Sequence, residues 1–318
     1  ISTIERGGAE NALLALIRKQ IAMGQKIEVV PLKGNLDLIE DMQSIGVSVD
    51  ISLLNNPFIQ QCYKLKRKKN RYDIYHAHLP RAELLVFLSR LAPFVVTRHN
   101  AESFFPGSPQ VISNFLSRKV TKSAESVIAI SKAVKTFIVE AGEIEDPKKI
   151  QVVYYGYTPV IASHNYELKA IPRDRDLRFV TVSRLAKQKN VPFLIDFTAS
   201  FSQEVIPTSL TIYGDGPELD CLTSRILQTT ASIQLRGKTS DVTRKLRSFD
   251  CFLLASNYEG FGLVLLEAMD AGLPVFAPRN SAIPEVLGED HPGLYKTGDM
   301  HDLISKVERF RSDPEVLT

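Results

Sequence analysis

Two hydrophobic rhythms alternate along this chain. Stretches with apolar residues three and four positions apart, such as GAENALLALIRKQIAM (residues 8–23), are followed by short apolar runs such as IEVVP. The first rhythm predicts a helix with one buried face, the second a strand buried on both faces. In the first half the pattern predicts further helices near 35–45 and 58–70, in LPRAELLVFLSRL, and over 109–123 and 132–141. Strands are predicted at VSVDISL, DIYHA, APFVVT, SVIAI and IQVVY. Residues 156–176 carry Pro, polar and charged positions without period and read as a connection. The alternation then restarts with LRFVTVS, helix 190–203, SLTIYG, helix 216–229, SIQL, a short helix near 241–248, CFLLA, helix 262–271 and LPVFA.

Repeated βα units imply parallel sheets covered by helices on both faces. The expected class is α/β, with two Rossmann-like, doubly wound parallel-sheet domains facing each other across a cleft. Their bounds are 1–158 and 176–318, with a linker over 159–175. Open parallel sheets bind ligands outside the carboxyl ends of their strands, so the cleft is the expected site. The chain opens at Ile1 with only a stub, IST, before the first helix, and DPEVLT follows a helix at the other end. We therefore expect a first strand cut short and missing C-terminal sequence.

At 318 residues and 44% hydrophobic positions, there is material for two cores. No apolar run approaches the ~20 residues that span a bilayer. Cys62, Cys221 and Cys251 match no metal or disulfide spacing, which points to a reducing cytoplasm. The net charge of +3 is unevenly spread: residues 1–160 hold 21 Lys and Arg against 15 Asp and Glu, and the remainder 18 against 21. Much of the excess lies in the run Lys64 to Arg71. It reads as a solvated helix end or as an attraction to anionic lipid on the inner face of the membrane. No aromatic residues interleave with it, which argues against nucleic acid.

The candidate chemistry gathers after the predicted strands. Glu259 and Glu267 bracket the turn Gly260-Phe261-Gly262, between the strand CFLLA and a helix. Free N–H groups at that helix start can hold an anion, and glycine permits close approach. One carboxylate would take hydroxyls ahead of the anion and the other hydroxyls behind it, the order of parts in a nucleotide diphosphate sugar. Arg184 and Lys189 follow LRFVTVS and could neutralise a diphosphate, although such residues are commonly just solvated. Gly214-Asp215-Gly216-Pro217 is a tight βα turn, with Leu219 where a dinucleotide fingerprint needs glycine. Gly7 and Gly8 open the first helix with bare N–H groups. His76 and His78 share one strand face but have no third metal ligand of fitting spacing. His99 ends a strand and could bind a sugar hydroxyl or serve as a structural hydrogen-bonder.

Together these elements resemble the retaining, nucleotide-sugar-dependent glycosyltransferases of the GT-B fold, family-four type. The resemblance rests on Glu259 and Glu267 in EGFGLVLLEAMDAGLPV, on Arg184 and Lys189, on GDGPE, on His99 and on Gly7-Gly8, and spans nearly the whole chain. It implies that Arg184 and Lys189 bind the diphosphate and stabilise the leaving group. By the same resemblance, the N–H groups of Phe261, Gly262 and Leu263 hold the sugar and β-phosphate. Glu259 positions the donor sugar, Glu267 holds the ribose, and Gly214 and Arg236 lie on the donor side, Arg236 near the base. His99 touches the sugar, and Gly7 and Gly8 lie near phosphate and acceptor. It also implies same-face transfer without metal or cofactor, and a glycan or lipid-linked acceptor in cell-surface polysaccharide assembly. A nucleotide-sugar epimerase, a phosphorylase, a non-catalytic two-lobed binding protein and a dehydrogenase are the alternatives, the last least favoured by the incomplete glycine fingerprint. Three positions depart from the family pattern: Tyr155 and Asn190, expected to affect hinge and turn geometry, and Asp270.

Overall fold

The computed structural model describes residues 1–105, 107–159, 176–239 and 241–313. The chain divides into two compact units, Ile1–Tyr157 and Thr158–Thr318. Apart from residue 159, the expected linker lies outside the described residues, as do positions 314–318.

In the first unit the order is α1 (Gly8–Ala22), β1 (Glu28–Val29), α2 (Ile39–Ser44), β2 (Ser48–Val49), α3 (Phe58–Lys66), β3 (Tyr75–His78), α4 (Pro80–Leu88), β4 (Phe94–Arg98), α5 (Gln110–Ser123), β5 (Ser126–Ala129), α6 (Lys132–Glu140) and β6 (Ile150–Val152). β3, β4, β5 and β6 form a parallel sheet in that order, and β1 and β2 form a separate parallel pair. The IST stub runs beside the segment that follows β1: Ser2 O accepts from Leu32 N and Lys33 N, and Ile4 O from Leu38 N. Ile4 packs there with Leu13, Leu14, Ile17, Val29 and Met42.

Several predicted elements are shorter than their sequence pattern, and for two of them the structure shows why. The strand over VSVDISL stops at Val49, because Asp50 Oδ1 accepts from Ser52 N and turns the chain. The helix near 58–70 ends at Lys66, and Asn70 adopts a left-handed conformation. Between them Lys68 turns inward to pair with Glu28 and Asp50. The basic run is therefore not uniformly a solvated face: Lys68 is a buried structural cation, and Lys64 Nζ donates to Ser52 O.

The second unit contains β7 (Leu177–Val182), α7 (Val191–Glu204), β8 (Thr208–Tyr213), α8 (Leu219–Ile226), β9 (Ser232–Leu235), α9 (Val242–Leu246), β10 (Cys251–Leu253), α10 (Leu263–Asp270), β11 (Val275–Pro278), α11 (Ile283–Leu287), β12 (Leu294–Tyr295) and α12 (Met300–Ser312). α11 and β12 were not read from the sequence. One parallel sheet runs β12-β11-β10-β7-β8-β9. Alternate residues of β7 face opposite cores, as strands buried on both faces require. Leu177 and Phe179 pack with Phe197, Phe201 and Phe310, and Val180 packs with Phe252, Leu265 and Ala268. Strand order reverses between β7 and β10. This is the topological switch point, where loops leave the carboxyl edge in opposite directions and open a crevice.

Candidate active site

In the second unit the loops after β7, β8 and β10 are tied together at the switch point. Lys187–Lys189 form one 3-10 turn. Gln188 O accepts from Asn257 N (2.8 Å), Gln188 Nε2 donates to Tyr258 O (2.9 Å), and Lys187 O accepts from Asn257 Nδ2 (3.1 Å). These bonds deliver Lys189 Nζ to Glu259 Oε1 at 2.6 Å, the same oxygen that accepts from Ser256 Oγ at 2.6 Å. Glu259 is buried and Lys189 half-buried. The pair faces little water, so each charge is held chiefly by the other. Arg184 is exposed, and its side chain has no hydrogen-bond or ion-pair partner among the described residues.

Gly214 locks the neighbouring loop. Its φ is +150°, and a Cβ there would lie 1.8 Å from Ser183 O; Gly216, with φ +158°, would meet Leu185 O at 2.4 Å. Leu185 N donates to Asp215 O, and Glu218 N to Leu185 O. These glycines thus let the β8 turn lie against the β7 loop, a packing reason for GDGP separate from ligand approach. Asn190 is left-handed, with φ +47°, between the 3-10 turn and α7. Asparagine tolerates that region better than most residues, which accounts for its replacing a turn glycine.

α10 starts from Gly262, whose φ is +93°. Leu265 N donates to Gly262 O, and the other N–H groups of the first turn are those an α-helix leaves without an intrahelical acceptor. One turn on, Glu267 is half-buried, its carboxylate has no partner among the described residues, and burial raises that carboxyl to about 7. Arg236 follows β9 and is exposed. Its N–H is spent on Ile212 O and its guanidinium donates to Gln234 Oε1, leaving its carbonyl and remaining donors for a ligand.

The first unit carries a polar row at the carboxyl edge of its sheet. His99, just past β4, is buried. Its Nε2 meets His78 Nδ1 at 3.0 Å, and its Nδ1 meets the Tyr155 hydroxyl in a short contact. Both ring nitrogens are therefore engaged within the unit, and His99 as it stands has none left for a sugar hydroxyl. His78 Nε2, also buried, has no described partner. The His76 ring lies against His78, centroids 4.1 Å apart and planes tilted by 36°, and bonds to Thr97 Oγ1 at 2.7 Å. Burial lowers His76 to about 4 and His99 to about 3, and depresses His78 as well, so all three rings are neutral near pH 7. Tyr155 was expected to affect hinge geometry more than chemistry; its hydroxyl also meets the His99 ring and helps fix it. Gly7 caps α1 without a side-chain bond, but Glu10 stands in that first turn, accepting from Thr3 Oγ1 at 2.6 Å. The carboxylate occupies ground that the sequence left open for an anion. Among the described residues, no group of three His, Cys, Asp or Glu side chains could hold a metal.

Two family models tile the chain end to end. Residues 6–159 match Glycosyltransferase Family 4, and residues 167–317 match Glycosyl transferases group 1. The chain belongs to this glycosyltransferase family. It is 26% identical over 78% of its length to the N-acetyl-alpha-D-glucosaminyl L-malate synthase of Bacillus anthracis, covering 68% of that protein. It is 28% identical over 88% of its length to the UDP-Gal:alpha-D-GlcNAc-diphosphoundecaprenol alpha-1,3-galactosyltransferase of Escherichia coli, covering 73% of it. The crystal structure of Anabaena HepE in complex with UDP-glucose superposes with a TM-score of 0.81 at 20% identity, over 100% of this chain and 90% of HepE.

In this glycosyltransferase the GT-B fold brings Lys189 and Glu259 into direct contact, although 70 residues separate them. Among the described residues the side chains of Arg184 and Glu267 have no partner, while His99 lies within its own unit's polar row. Sequence reasoning missed Tyr155, Ser256, Gln188 and Asn257 as site residues. For Tyr155 a signal existed in its departure from the family pattern; for the others nothing in the spacing marks them.

Proposed function

We propose that this glycosyltransferase moves a sugar, a hexose or a close relative, from a nucleotide diphosphate donor to a glycan or lipid-linked acceptor. Transfer retains configuration and needs no metal. The observation that carries the reading is the Lys189–Glu259 contact at the switch point, beside the start of α10. Arg184 and Lys189 take the diphosphate, and their charge counts most as the leaving group becomes more negative. N–H groups of Phe261, Gly262 and Leu263 face the sugar and β-phosphate. Glu259 fixes the donor sugar through a carboxylate that Ser256 and Lys189 already hold in place. Glu267 accepts from the ribose hydroxyls, Gly214 and Arg236 border the nucleotide, and Gly7 and Gly8 lie on the acceptor side. His99 shapes the sugar side as a neutral ring held by His78 and Tyr155.

No side chain is required as general base: the departing phosphate oxygen accepts the acceptor proton on the face it leaves. The alpha-1,3-galactosyl transfer to a diphosphoundecaprenol named for the Escherichia coli relative supports a lipid-linked acceptor, and the basic excess of residues 1–160 supports an anionic membrane surface on the cytoplasmic side. No described helix is long and apolar enough to cross a membrane.

Thermal stability with UDP, GDP and ADP, beside Glu267→Ala, tests the donor site. A ligand specific for the folded state adds about 2.7 kcal/mol at 100 times its Kd. One nucleotide should raise the melting temperature, and the variant should weaken that rise. Donor incubated without acceptor should give at most slow release of nucleotide diphosphate; conversion of its sugar would instead identify an epimerase.

A further inference from the structure

The outward face of α5 is apolar where a solvated helix should be polar. Its buried positions are Ser113, Ser117, Val120 and Thr121, so three of four carry hydroxyls. Ser117 and Thr121 are satisfied there by Glu143 O and neighbouring groups. Facing out are Val111, Ile112 and Phe115, with exposures of 80%, 53% and 58%. The next turns of the same stripe carry Arg118, Lys119 and Lys122, all exposed. At 100° per residue, positions 111, 115, 118, 119 and 122 fall within about a third of the helix circumference. Burying hydroxyls while exposing three large apolar side chains costs hydrophobic free energy unless something covers that face.

We propose that α5 is a membrane-docking helix, with Val111, Ile112 and Phe115 entering the interface of an anionic bilayer and Lys119 and Lys122 meeting its head groups. Apolar anchors joined to basic residues on a helix lying in the membrane plane match the physics of interfacial helices. Charge complementarity chooses the occupant: α5 carries Arg118, Lys119 and Lys122 and no Asp or Glu. The restraints on these cations are weak. Lys122 makes an exposed pair with Glu145 at 3.3 Å, and Lys119 rests over the Phe115 ring at 5.5 Å. Arg118 is less available, because its Nε donates to Gly142 O. A second copy of the chain suits this face poorly. Three apolar side chains supply far less than the ~800 Å² per partner of a stable protein interface, and the adjoining cations would repel their equivalents. The proposal moves the membrane contact from the 64–71 run, whose Lys68 is buried, to a different helix.

Vesicle sedimentation of the whole chain, with phosphatidylcholine alone and with phosphatidylglycerol added, tests this. The parent should bind the anionic vesicles and lose binding as salt rises. Phe115→Ser with Ile112→Ser, and separately Lys119→Glu with Lys122→Glu, should each weaken that binding about tenfold or more. Lys66→Glu with Lys69→Glu should weaken it less than either. All sites are exposed, and unchanged melting temperatures would establish folding. Donor hydrolysis should be unaltered, so failure of docking is separable from failure of the donor site. Equal binding to both vesicle types, or full binding by the α5 variants, overturns the proposal. So does a concentration-dependent dimer of the parent that the same substitutions abolish.

Discussion

Removing Lys189 does two things at once. It takes a cation from the proposed diphosphate site and leaves the buried Glu259 carboxylate without its partner. Lys189→Ala should therefore lower turnover by about 10²-fold or more and also cost roughly 3 kcal/mol of stability. The double change Lys189→Met with Glu259→Gln should regain most of the stability but none of the turnover; recovery of both would refute an electrostatic role. Glu267 carries a pH signature. Its carboxyl titrates near 7 in the folded chain, above its ordinary value of 4.5. The folded state thus binds the proton more tightly, and this contribution is complete below about 4.5 and lost as pH rises through 7. The melting temperature of Glu267→Gln should gain on that of the parent between pH 5 and 8. A constant difference would mean that Glu267 is not desolvated. In the His78–His99–Tyr155 row, Tyr155→Phe removes one bond and should cost about 1 kcal/mol in a urea titration. It should reduce turnover as well if His99 acts as a positioned ring. Neither the Lys189 contact nor this row was legible in the sequence, because the partners lie 70 and 56 residues apart. Spacing along a chain reports local periodicity and says nothing of which strands become neighbours.

Elements were far easier to read than their ends. The buried strands of the second unit declare themselves as apolar runs, and β7, β8, β9 and β10 lie where LRFVTVS, SLTIYG, SIQL and CFLLA put them. Boundaries moved where a polar side chain met the backbone, as at Asp50, or where a charged one turned inward, as at Lys68. The GDGP turn shows how one motif can have two physical reasons. By resemblance its Gly214 lies on the donor side, yet Gly214 is also required where β8's turn meets Ser183 O. Gly214→Ala must push those loops apart and should cost about 3 kcal/mol. Gly237→Ala is the control, with φ +65° but nothing within 4 Å of the added carbon, and should cost only about 1–2 kcal/mol for its left-handed backbone. Equal losses in urea midpoints would show that the close approach is not what holds the two loops.

Each unit of the molecule has its own sheet and core, so a nucleotide should be felt unevenly. Hydrogen exchange with bound nucleotide should slow in 183–190, 214–218 and 256–263 and change little around β1 and β2. Protection confined to the first unit would overturn the assignment of the donor to the second. The charge imbalance between the halves was plain from the sequence and has a consequence at longer range. With six excess positive charges in residues 1–160 and three excess negative ones in the rest, an anionic surface attracts the first unit and repels the second, whatever the angle between them. Those opposite forces act before any side chain makes contact. Should α5 dock as proposed, approach with the basic unit first is therefore the expected course, and the second unit gains nothing from touching the surface. Raising the salt should shorten the range of this steering, so it should slow arrival at the surface first and weaken adhesion second.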